Sequence, residues 1–114
     1  GAYLARIQEY ENMPVAPELE GLQNRLKSMA SKYAACVTQI TEAKDQELLD
    51  FCARRLVEMA AHIIMGHLMV QDASKSDLFS ESAQVYVRYA EAEVEKHINF
   101  IRKFDKDDLA YYRK

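Results

Sequence analysis

The sequence predicts an all-α fold, an up-and-down bundle of three long antiparallel helices preceded by a short one. Three observations point there. Apolar residues recur at steps of three and four along most of the chain. Glycine occurs three times and proline twice in 114 residues, too few turn formers for a sheet of short strands. The breaks between the long periodic stretches are short, which forces successive helices to run antiparallel. With 49% hydrophobic residues and no internal repeat, residues 1–114 are expected to form one domain around one core.

The first helix is expected over about 2–12, where Tyr3, Leu4, Ile7 and Tyr10 share a side; Pro14 and Pro17 prevent its continuation. The second, about 17–43, opens with Pro17 at the first helical position and with Glu18 and Glu20 near the positive end of the helix dipole. That start accounts for Pro14-x-x-Pro17 better than a proline-rich ligand motif does. Its stripe is Leu19, Leu22, Leu26, Met29, Tyr33, Val37 and Ile40. Asp45 caps the third helix, about 46–73, with a stripe of Leu49, Cys52, Leu56, Met59, Ile63 and Val70. The fourth, about 77–104, starts at Ser76 or Asp77. It carries Phe79, Ala83, Tyr86, Ala90, His97, Ile101 and Phe104 on one side, and Asp105 then caps a terminal turn through DLAYY.

Composition excludes several function classes. The net charge is −3, and fifteen Lys and Arg are scattered among eighteen acids, so there is no basic stripe for a phosphate backbone and nucleic acid is not an expected partner. Cys36 and Cys52 both fall at apolar helical positions, which reads as reduced core thiols of a cytoplasmic protein and not as a disulfide. No apolar run approaches the ~20 residues a membrane helix needs, and the start GAYLARIQEY lacks the pattern of a signal peptide. No membrane association is expected.

The stretch EMAAHIIMGHLMVQDA, residues 58–73, sets two histidines and a glutamate among apolar residues. At about 100° per residue, His67 falls in the third helix's apolar stripe, while His62 is turned about 140° away and shares the polar side with Arg54, Arg55 and Glu58. Glu93 and His97 both project into the fourth helix's stripe. Buried charge needs a partner, so a polar layer of Glu93, His97 and Tyr33 is expected across the bundle, with Arg54 or Arg55 as counter-ion.

A carboxylate-bridged di-metal bundle needs two Glu-x-x-His pairs and two further inward glutamates. The sequence has Glu-x-x-x-His twice and Glu-x-x-His nowhere. At ~1.5 Å per residue His67 and His97 are also expected about 20 Å apart. There is no glycine-rich phosphate loop, Cys-x-x-Cys or nucleophile elbow either. No catalytic, metal-ligating or cofactor-binding residue is expected in this chain.

Residues 63–70 are apolar on every side: Ile63 and Val70 face one way, and Ile64, Met65, Leu68 and Met69 cover the rest. Such a helix must be covered all round. Either this half occupies the bundle centre, sealed within the chain, or what the other helices leave uncovered is an interface, whose candidate residues are Met65, Leu68 and Met69, with Arg54, Arg55 and Glu58 as a polar rim. Gly66, in mid-helix, costs about 1 kcal/mol relative to alanine unless it admits another backbone.

The phrases DFCARRLVEMAAHIIMGHLMVQDA and AEVEKHINFIRKFDKDDLAYY resemble the helical extension at the extreme C-terminus of bacterial acyl-CoA dehydrogenases. The resemblance implies a larger parent flavoprotein, of which this chain, beginning with Gly1, is a C-terminal fragment. Such a parent oxidises acyl-CoA thioesters with FAD and a glutamate base, both supplied by upstream catalytic domains. The family's catalytic glutamate and FAD-binding segments have no counterpart here, so the chain is expected to be an accessory domain. Its implied partners are those upstream domains or a second subunit of a homo-oligomer. A freestanding helical interaction or self-association bundle is the alternative.

Overall fold

The structure, a computed structural model, describes residues 2–103. It has α1 (Ala2–Glu11), α2 (Glu20–Glu42), α3 (Gln46–Lys75) and α4 (Ser80–Lys103), with single 3₁₀ turns over Pro17–Leu19 and Asp77–Phe79. There is no strand among the described residues. The expected stripe position Phe104 and the turn capped by Asp105 lie outside the described residues.

Two expected α-helical starts are 3₁₀ turns. Proline has no N–H, and no side chain caps the turn at Pro17, so the chain closes tighter, with Leu19 N donating to Ala16 O at 2.9 Å. The turn before α4 closes likewise, Phe79 N to Ser76 O at 3.2 Å, and Ser76 Oγ accepts from Leu78 N. The third helix runs two residues beyond its expected end. Ser74 and Lys75 continue it, lysine being favoured in a last turn, until Ser76 turns extended at φ −154°. Between α2 and α3 the chain reverses at Lys44, whose φ of 51° is left-handed. Asp45 then caps α3 as expected, its Oδ1 accepting from Glu47 N at 3.1 Å and Leu48 N at 3.2 Å.

α3 is the central rod, packed against α1, α2 and α4. From α2 the core takes Leu26, Met29, Tyr33, Cys36 and Ile40, and from α3 Cys52, Met59, Ala60, Ile63 and Val70. α1 is pinned by Ile7, which is wholly buried; full burial of such a side chain stabilises by roughly 1.5–3 kcal/mol. On α4 the buried seam is Ala83, Val87, Ala90, Val94, His97, Ile98 and Ile101, so it departs from the expected stripe. Tyr86 is half-buried and Phe79 exposed. β-branched Val87 and Val94 take the inner positions, which turns Tyr86 and Glu93 toward the edge.

A second clasp holds the connection between α1 and α2. Buried Gln23 donates from Nε2 to Met13 O at 2.9 Å and to Glu11 O at 3.4 Å, while Ala16 N donates to Ser74 Oγ at 3.1 Å. These bonds serve backbone groups that the prolines leave without helical partners.

The close neighbour of Gly66 is a side chain, not the expected backbone: a Cβ there would stand 2.6 Å from Leu26 Cδ2, and Leu26 is itself fully buried. Gly66→Ala is therefore expected to lower stability by about 1 kcal/mol despite alanine's better helix propensity, because the added methyl overpacks the α2–α3 contact. Chemical denaturation of Gly66→Ala with and without Leu26→Val checks this: part of the loss should be recovered in the double variant.

Candidate interface and the buried histidines

His97 on α4 is 3% exposed and meets α3. Arg55 Nη1 lies 3.1 Å from His97 Nδ1. A guanidinium can only donate, so Nδ1 accepts and the ring proton of the neutral form resides on Nε2. Nε2 is 3.0 Å from Glu58 Oε2 but outside hydrogen-bond geometry, so this is a charge–dipole approach and not an aligned bond. The Arg55 guanidinium also covers the Phe100 ring at 3.6 Å, and Phe100 stacks with Phe51 at 6.2 Å. Burial holds His97 below the ordinary histidine value; Glu58 pulls it back up, and the Arg55 charge adds to the lowering.

Of the expected polar layer, the Arg55–His97 contact is present. Glu93, expected to be buried, has a side chain 25% exposed and pairs with Lys96 Nζ through Oε2 at 2.6 Å. The Lys96 hydrogen bond leads in drawing its carboxyl below the ordinary value. Tyr33 is buried, and burial chiefly pushes its phenol up, with Tyr3 second. No hydrogen bond joins Tyr33 to His97 or Glu93 among the described residues. Glu58, placed by the sequence in the outer rim, instead lies between Arg54 Nε (3.3 Å to Oε1) and His97. Sequence reasoning missed its contact with His97 because helical spacing places Glu58 on the polar side of α3 with His62 and Arg54.

His62 is half-buried, its Nδ1 3.2 Å from Tyr86 Oη, with the Tyr89 ring edge-on at 5.5 Å. His67 is buried and stacks on Tyr10 at 5.9 Å with an interplanar angle of 12°. Its Nε2 has no hydrogen-bond partner among the described residues. Burial first, then Lys27, lowers its pKa from 6.5 to about 4. Among the described residues no group of three or more His, Cys, Asp or Glu side chains is placed to hold a metal. Cys36 and Cys52 are free and buried, and burial pushes both thiols up. No described helix is long and apolar enough to cross a membrane.

The candidate interface residues divide. Met65 is 45% exposed and Leu68 39%, whereas Met69 is half-buried against the core and so is removed from the outer surface. Arg54 reaches outward with 91% of its side chain exposed. Arg55 does not join the rim, because Phe100 and His97 draw it into the α3–α4 seam. Sequence reasoning missed further exposed apolar positions: Val57 on α3, Leu78 and Phe79 in the turn, and Val85 and Tyr89 on α4. Of nine large exposed hydrophobics among the described residues, seven belong to α3, α4 or the turn between them, so the apolar exposure is concentrated there.

The family described as acyl-CoA dehydrogenase C terminal matches residues 1–109, and the chain belongs to that family. A solved structure, the acyl-CoA dehydrogenase family protein from Porphyromonas gingivalis, is 48% identical, with a TM-score of 0.88 over 92% of this chain and 91% of that one. No curated protein matches the chain.

Acid stability follows from His67. The folded chain keeps it neutral down to about 4 while the unfolded chain protonates near 6.5, so the unfolded state binds more protons in between. Stability from this residue is complete above that window and is lost as the pH falls through it, by about 3 kcal/mol in all. Denaturant unfolding across a pH series should show this loss. His67→Phe, which keeps an aromatic ring against Tyr10, should reduce the slope by the part His67 contributes, leaving the part due to His97; an unchanged slope would assign the acid sensitivity elsewhere.

Proposed function

We propose that this chain is the accessory C-terminal helical domain of an acyl-CoA dehydrogenase-like flavoenzyme, an FAD-dependent oxidoreductase. Its role there is domain packing or subunit assembly, with no chemistry of its own. The family membership supports the parent, and the exposed apolar residues of α3 and α4 carry the packing role. Three large hydrophobics on the outer face of a helix already packed on three sides lower the free energy only when another surface covers them.

FAD, on this reading, belongs to domains outside the chain. Two hollows among the described residues fall in the volume range of ligand pockets. One of about 480 Å³ is lined by Glu18, Gly21, Leu22, Arg25, Gln84 and Arg88, and one of about 370 Å³ by Phe51, Arg54, Arg55, Glu58, Lys96 and His97. Both open to solvent, and charged side chains make up half the lining of the first and most of that of the second, which does not fit an isoalloxazine ring. The family's oxidation of acyl-CoA thioesters would take place in the upstream catalytic domains.

The test is Met65→Glu with Leu68→Glu in the full-length flavoprotein. Both positions are exposed, so the helical content of the bundle should be unchanged, while subunit assembly or the seating of the domain on its catalytic body is lost. Light scattering and limited proteolysis read the two outcomes. Unaltered stoichiometry together with unaltered protease resistance would count against the packing role.

A further inference from the structure

The outer face of α3 carries charged and apolar residues in a definite order. Asp50, Arg54, Val57, Ala61, Met65, Leu68, Asp72 and Lys75 follow at steps of three or four and are all exposed, so they form one continuous outward stripe. Its signs run negative, positive, four apolar residues, negative, positive. A copy laid parallel and in register sets like charge on like. A copy laid antiparallel about the level of residue 63 sets Arg54 against Asp72 and Asp50 against Lys75, on both sides of the axis. The same placement sets Val57 against Leu68 and Ala61 against Met65, a small residue opposite a large one at the centre.

We propose that this face of α3 pairs antiparallel with the same face of a second copy of this chain, about a twofold axis level with residue 63. A twofold contact requires a patch complementary to itself, and the sequence order of this stripe meets that requirement in charge and in size. Arg54 is almost wholly exposed, and among the described residues its ion pair is with Glu58 one turn away, which leaves it able to reach across. The stripe spans about 38 Å of helix at ~1.5 Å per residue. His62, in contact with Tyr86 and Tyr89, marks where α4 borders it, so exposed Val85 and Tyr89 widen the apolar centre. The pairing rests on the packing role proposed above and names the partner.

Sedimentation equilibrium of the 114-residue chain over a concentration series tests it, with circular dichroism as the check on folding. The expected result is a monomer–dimer equilibrium. Ala61→Glu, which sets two unpaired carboxylates beside the axis, should weaken the dimer about 100-fold or more. Asp72→Arg should weaken it about tenfold, because it opposes Arg54 twice, and adding Arg54→Asp should restore it. A chain that stays monomeric, a dimer indifferent to Ala61→Glu, or a reversed pair that fails to restore association would each overturn the pairing. If the pairing fails while Met65→Glu with Leu68→Glu still disrupts the full-length flavoprotein, the packing role stands with a different partner; if both fail, it falls as well.

Discussion

Everything in this bundle depends on α3 being packed on three sides by the other helices. A helix so placed needs an apolar surface far wider than the seam of a two-helix contact, and residues 59–70 supply it with Met59, Ala60, Ile63, Gly66, His67 and Val70 all turned inward. α1 is too short to persist alone in water and gains its order from α3 through Ile7 and the Tyr10–His67 stack. α2 and α4 meet the same rod from other sides, so any change in the width of α3 is felt by all three neighbours. The two most buried histidines differ accordingly. Neither has a hydrogen bond at Nε2 among the described residues, but His67 stands among the apolar side chains whereas His97 lies at their border and borrows Arg55 from the surface.

Much of the fold was legible because the signals were local. The periodic stretches, the Asp45 cap and the proline-marked break all depend on residues close in sequence, and the helix boundaries fall within a few residues of where those signals place them. The seam of α4 was harder to read. Two overlapping stripes share Ala83, Ala90, His97 and Ile101, one adding Tyr86 and Glu93 and the other Val87 and Val94, and a rotation of one residue exchanges one set for the other. What decides between them is the width left by α2 and α3, which no window of sequence contains. The buried Gln23, which closes the α1–α2 connection, was invisible for the same reason: its partners are backbone carbonyls at Met13 and Glu11.

The candidate surface was legible in kind more than in membership. A helix without a polar face announces that something covers it, but not which residues the chain covers itself. Met69 went to the core and Arg55 to the seam, while Val57, four residues before the next outward alanine, took a place on the outside. Arg55 illustrates the difficulty. Its charge marked it as rim, yet its long stem and planar head suited the Phe100 ring and the His97 nitrogen.

The notch at Gly66 acts as an index mark. Because the methyl end of Leu26 fills the space a side chain would otherwise occupy, α2 and α3 can mate at one height only; sliding by a turn would drive the leucine against a neighbouring residue and leave the recess empty. Longitudinal alignment in a bundle of smooth apolar rods is otherwise loosely defined, since one aliphatic layer resembles the next. Here a missing carbon atom supplies the alignment, and with it the fixed elevation at which the outward stripe of α3 is presented to whatever approaches it.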